Sequence, residues 1–174
     1  MSEDLGTITN CYTITFNRRS KHSPARLWRA LTDPEEVAGW TDAPATIDLR
    51  VGGTYTFFVG TETPEECIVV RAEPERVLTI VWGMNRPEAW RHASVVEWTI
   101  SDDEEGCSFT FVHNGCADRG EGEAGLAAGW HGFLDQLGKH LDGKTWTKEE
   151  AEADWKRLHE PYDARLNTAL VNRS

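Results

Sequence analysis

GEAGLAAGWHGFLDQLGKHL, residues 122–141, decides how the rest of the chain is read. Leu126, Trp130, Phe133, Leu134, Leu137 and Leu141 recur at helical spacing, which predicts one long amphipathic helix. Gly125, Gly129 and Gly132 interrupt it, and their spacing puts all three on one side of that helix. Each glycine inside a helix costs about 1 kcal/mol relative to alanine, so three give up roughly 3 kcal/mol. That is a large share of the 5–15 kcal/mol by which a domain is typically stable, roughly speaking. Two readings of the bare strip stand side by side: room for a ligand between helix and sheet, or close approach of the helix to its neighbours.

The residues upstream supply that sheet. ITNCYTITF alternates, with Ile8, Tyr12, Ile14 and Phe16 on one parity, and reads as a half-buried strand over 8–16. HSPARLWRAL then changes period: Ser23 is an N-cap, Pro24 the first helical residue, and Leu27, Trp28 and Leu31 the apolar stripe. TDPEEVAGW starts a second short helix, with Asp33 as cap, Pro34 behind it and Glu36 placed to close a capping box. Strands follow in ATIDLRVGGTYTFFVG, ECIVVRAEPERVLTIVWG and SVVEWTISDDEEGCSFTFVHNG, with turns at Gly52-Gly53, EPER and DDEEG. After the long helix, Thr147 and Glu150 form a capping box for a tail helix bearing Trp155, Leu158, Tyr162, Leu166 and Leu170, which Pro161 is expected to break. The order is α+β: a meander of about six or seven strands whose open face must be covered by the long helix. Residues 1–143 read as the main domain and 144–174 as a helical extension.

Charge and cysteines narrow the partners. A net charge of −11 over 174 residues argues against nucleic acid and anionic membranes. The one basic cluster, RRSK at 18–21 with Arg26 and Arg29 after it, reads as solvated surface. No run approaches the roughly 18–20 apolar residues of a membrane span, and MSEDLGTITN does not look like a signal peptide. The four cysteines lack metal or disulfide spacing, so a reducing, cytoplasmic setting is expected, with neither metal nor cofactor.

Five segments in this order, SPARLWRALTDPEEVAGW, IDLRVGGTYTF, VVRAEPERVLTIVW, SVVEWTISDDEEGCSFTFVHNG and GWHGFLDQLGKHL, resemble the heat-shock-protein-90 ATPase activator homologue family. The resemblance spans about residues 8–142 and implies a START-like helix-grip fold, in which a cavity opens between a curved sheet and the last helix. It also implies three functions: binding a small hydrophobic ligand, acting on a chaperone ATPase, or cyclase- or hydrolase-like catalysis. Self-association as a homodimer is a further implication, and the tail stripe supplies a surface for it.

For a ligand cavity the inward candidates are Trp40, Phe57, Trp82, Trp98, Phe111, His113, Gly129, Trp130, Phe133 and Leu137. Trp90 is a candidate flap, and the same positions also suit a packed aromatic core. His113 shares its strand face with Phe109 and Phe111 and is the one candidate general base. Cys116 is a weaker candidate nucleophile. No G-x-S-x-G elbow, phosphate loop or H-E-x-x-H motif is present.

Overall fold

The computed structural model describes residues 5–9, 13–57, 65–82, 94–115 and 122–171. Eight strands run β1 Thr7–Thr9, β2 Thr13–Ser20, β3 Thr46–Ile47, β4 Thr54–Phe57, β5 Glu65–Glu73, β6 Val77–Trp82, β7 Ser94–Asp103 and β8 Gly106–Asn114. Four helices are α1 Pro24–Thr32, α2 Pro34–Thr41, α3 Gly122–Leu141 and α4 Lys148–Val171. All strand pairs are antiparallel in one sheet, ordered β1-β2-β8-β7-β6-β5-β4-β3. The one non-sequential step is β2 against β8, so α1 and α2 carry the chain from one side of the sheet to the other.

Alternation sorts one face of the sheet inward. Ile14 and Phe16, Cys67 and Val69, Leu78 and Ile80, Val96 and Trp98, and Phe109 and Phe111 are all buried there. α3 lies over this face, with Trp130 packed on Phe111 and Trp82. The helix-grip expectation therefore holds, and the helix pair locks one flank through the Trp40 indole N–H donating to the Ala30 carbonyl at 2.9 Å.

Four details differ from the sequence reading. The first strand is a hairpin: Thr7 pairs back on Thr15, so β1 folds against β2 instead of continuing into it. Val51, which in sequence continues the strand alternation of Ile47 and Leu49, is 75% exposed because it sits in the turn after the two-residue β3. Glu36 does not close a capping box. The Asp33 N–H already donates to the Arg29 carbonyl, and the Glu36 carboxylate turns to Arg26, Arg29 and His140 instead. Pro161 does not break α4, although its ring removes one helical N–H. Leu158 and Tyr162 on either side of it are buried in the core and hold the helix through that point. By contrast the caps at Ser23, Asp33 and Thr147 form as expected, the last reciprocally with Glu150.

α4 answers part of the glycine question. Its Trp155 indole N–H donates to the Gly125 carbonyl at 3.2 Å, a contact with the bare backbone of α3. At roughly 100° per residue the glycines lie about 100–160° around α3 from Trp130, and so turn away from the sheet. Among the described residues a methyl group at Gly129 or Gly132 meets nothing within 4 Å. Gly129→Ala is therefore expected to stabilise the protein by about 0.5–1 kcal/mol through helix propensity alone. Urea unfolding measures it; a loss of stability instead would show that the strip is occupied.

Candidate functional site

α3 meets the sheet differently at its two ends. Toward its N-terminal half the rings pack on one another. Phe111 and Trp130 lie 4.4 Å apart, Trp98 and Phe111 4.8 Å, Trp82 and Trp130 5.2 Å, and both Trp40 and Trp130 sit 6.1 Å from Phe133. Such tilted and edge-on pairs add to the apolar burial that already holds the element. Trp40, Trp82, Trp98, Phe111, Trp130 and Leu137 thus come together in the core. Phe133 packs against it half-buried, and Gly129 stands apart on the outer side of the helix. Phe57 ends β4 with its side chain outside the described residues, and Trp90 and Cys116 lie outside them altogether.

His113 is buried among these rings with both nitrogens engaged. The Trp130 indole N–H, which only donates, gives its hydrogen to Nδ1 at 2.9 Å. The neutral ring therefore carries its own hydrogen on Nε2, 3.0 Å from the Ser94 hydroxyl. In this arrangement His113 is a donor toward Ser94, with no lone pair left for proton abstraction. His113→Leu is expected to cost about 2 kcal/mol by orphaning the indole N–H and the hydroxyl. Thermal melting with His113→Gln as partial rescue measures it; a variant as stable as the parent would contradict the network.

The C-terminal half of α3 buries Leu134, Leu137 and Leu141 in the core and borders a concave surface. A cavity of about 830 Å³ lies there, lined by residues 17–22 at the end of β2, residues 108–110 of β8, and Leu134, Asp135, Gly138, Lys139 and Leu141 of α3. Asp142 and Lys144 complete its wall. Its position follows from the hairpin: the pairing of β1 along β2 ends with Thr7 opposite Thr15, leaving the outer edge of β2 from Phe16 onward without a strand partner among the described residues. The apolar part of the lining is Phe109, Leu134 and Leu141, each nearly buried. The charged part is mostly cationic: Arg18, Arg19, Lys21, Lys139 and Lys144 against Asp135 and Asp142. RRSK is solvated, as its sequence suggests, with the Arg19 and Lys21 side chains about 70% exposed, and it also forms one wall of this cavity.

The ion pairs there are unequally shared. Arg19 has Asp103 to itself at 2.5 Å. Asp142 alone faces His22 at 2.9 Å, Lys21 at 3.1 Å and Lys144 at 3.3 Å. The hydrogen bond from His22, then that from Lys21, holds its carboxyl far below the usual range. Deeper in, burial pushes the Asp135 carboxyl up, with Arg18 opposing. Asp135 lies 3.7 Å from Nε2 of His131, whose Nδ1 accepts a hydrogen bond from the Tyr162 hydroxyl at 2.9 Å. That hydroxyl in turn accepts the Gly6 N–H at 2.8 Å. Among the described residues no group of three or more histidine, cysteine, aspartate or glutamate side chains is placed to hold a metal.

Residues 21–142 match the family model described as activator of Hsp90 ATPase homolog 1-like protein. The chain belongs to that family. As a member of the activator-homolog family it carries α1, α2, β3 to β8 and α3 within the matched segment, whereas β1 and β2 precede it and α4 lies beyond it. Among solved structures it is similar to protein MLL2253 from Mesorhizobium loti, with 26% identity and a TM-score of 0.67, over 77% of this chain and 99% of that one. CalU16 from Micromonospora echinospora gives 25% identity and a TM-score of 0.67, over 87% and 86%. The Aha1 dimer from Colwellia psychrerythraea shares the fold, with 21% identity and a TM-score of 0.66, over 74% and 95%. No curated protein matches the chain.

Sequence reasoning expected a cavity between sheet and helix but set it among the aromatics, and it missed residues 17–22 as a wall and the roles of His131 and Tyr162. The last two were legible only as spacing, an inward histidine on α3 and a tail aromatic. Nothing local to 17–22 shows that β1 ends before reaching them.

Proposed function

We propose that this activator-homolog family member binds a small ligand with an apolar body in the cavity between the C-terminal half of α3 and strands β2 and β8. The supporting observation is the cavity itself, about 830 Å³ with an apolar floor of Phe109, Leu134 and Leu141. Cavities of roughly 300–1,000 Å³ are the size that encloses most of a drug-sized molecule. The aromatic cluster around Trp130 serves as the filled end of the grip, which fixes α3 against the sheet, and the cavity lies beside the other end of the helix. In this reading His113 holds Trp130 in place and performs no acid–base step. Isothermal calorimetry with a panel of eight- to twelve-carbon linear and aromatic compounds tests the proposal. Saturable one-to-one binding is expected, and no heat from any member would overturn it.

The family's own description favours a second reading, docking to a heat-shock ATPase. That reading predicts a raised turnover when the protein is added to such an ATPase, and an unchanged rate removes it. The Aha1 of Colwellia psychrerythraea is a dimer in its solution structure. Self-association of this chain would have to use a surface other than Leu158 and Tyr162, since α4 buries both within its own chain. Sedimentation at rising concentration measures it: a mass that stays monomeric sinks the homodimer.

A further inference from the structure

We infer that the ligand of this cavity is an amphipathic anion whose charged head sits between Lys21 and Lys144, an inference that rests on the binding reading above. Three observations carry it. The cavity is lined by five Lys or Arg side chains and two carboxylates, and even with Arg19 paired to Asp103 and Lys139 to Glu150 from outside the lining, the cations there outnumber the carboxylates by one, in a protein whose net charge is −11. Within it a single carboxylate, Asp142, answers both Lys21 and Lys144 as well as His22, so one ammonium is in excess even when every pair is made. The apolar residues Phe109, Leu134 and Leu141 line the same cavity, so a head and a body have separate places to go.

The competing fields point the other way and are weaker. The last carbonyls of α3 place partial negative charge near Leu141, but Lys139 already lies in that turn. Asp135 shares the cavity with Arg18, and its burial favours the uncharged acid. A cationic head would meet Lys21 and Lys144, each about 70% exposed and able to swing inward on flexible stems. An uncharged hydroxyl head would gain only a hydrogen bond from them, without the charge attraction. The anion also relieves the crowding of cations at Asp142, because each ammonium then has a counter-charge of its own.

Three probes of one length separate the outcomes: decanoate, decanol and decyltrimethylammonium, each titrated below its micellar concentration at low salt. Decanoate is expected to bind about tenfold more tightly than decanol, and the cation not at all. The double variant Lys21→Gln/Lys144→Gln is expected to lose most of that preference while keeping decanol affinity. Asp142→Asn frees both ammoniums and is expected to strengthen decanoate binding several-fold, an effect that a merely structural role for Asp142 would not produce. Equal affinity for decanoate and decanol, or preference for the cation, overturns the anion inference and leaves the binding reading standing. Failure of all three probes overturns both.

Discussion

Tyr162→Ala is expected to lower the unfolding free energy by about 3–5 kcal/mol, although the residue lies outside the segment that the family model matches. The side chain is fully buried in the main core, where its ring stands edge-on to Phe16 and His131. Removing it opens a ring-sized void between α4, α3 and β2, and cores collapse only partly around such voids. It also strands two polar groups, the Gly6 N–H and Nδ1 of His131, which its hydroxyl satisfies at 2.8 and 2.9 Å. Tyr162→Phe keeps the ring and isolates the second effect, expected at about 1–3 kcal/mol. Urea unfolding of both variants measures the pair. If alanine cost less than 1 kcal/mol or so, α4 would be an appendage and not part of the core.

Acidification is expected to remove on the order of 3 kcal/mol of stability between pH 6.5 and pH 4. Burial pushes the His131 imidazole down to about 4. In that window the unfolded chain binds a proton at His131 and the folded chain does not, so folding is penalised as the pH falls. The direction follows from the hydrogen bond: a protonated ring cannot accept from Tyr162, and its charge would sit near Arg18 and Arg157. Asp135 opposes this in part, because burial raises its carboxyl and so favours the folded state on the acid side. Glu36 acts in a lower window. Burial alone would raise its carboxyl, but hydrogen bonds from Arg29 and His140 hold it at about 2, so its contribution disappears only as the pH falls below about 4.5. Melting temperatures at pH 7 and pH 4.5 are expected to differ sharply in the parent and much less in His131→Gln. Equal loss in both would place the acid sensitivity elsewhere.

What the sequence made legible was local or periodic. The Ser23, Asp33 and Thr147 caps involve partners two or three residues away, and the inward stripe of α3 repeats every turn. What it concealed depended on distant partners. Glu36 reads as a capping residue until α3 brings His140 to it from 104 positions away. Pro161 reads as a break until the core holds the helix on both sides of it. RRSK reads as solvated surface, and Arg19 and Lys21 are indeed largely exposed, but nothing within those four residues reveals that β1 has already ended, or that Asp135 and Asp142 line the same cavity. The inward aromatics were legible as a set, but their mutual packing was not: ring-to-ring contact depends on how far α3 stands from the sheet.

Mapping decanoate onto the protein by amide and indole chemical shifts tests the cavity beside the C-terminal half of α3 most directly. With the ligand seated there, the largest shifts are expected at residues 17–22, 108–110 and 134–144. Were the Trp82, Trp98 and Trp130 indole signals to move most while those segments stayed still, the ligand would lie within the aromatic cluster, contrary to a filled end with the cavity beside the other.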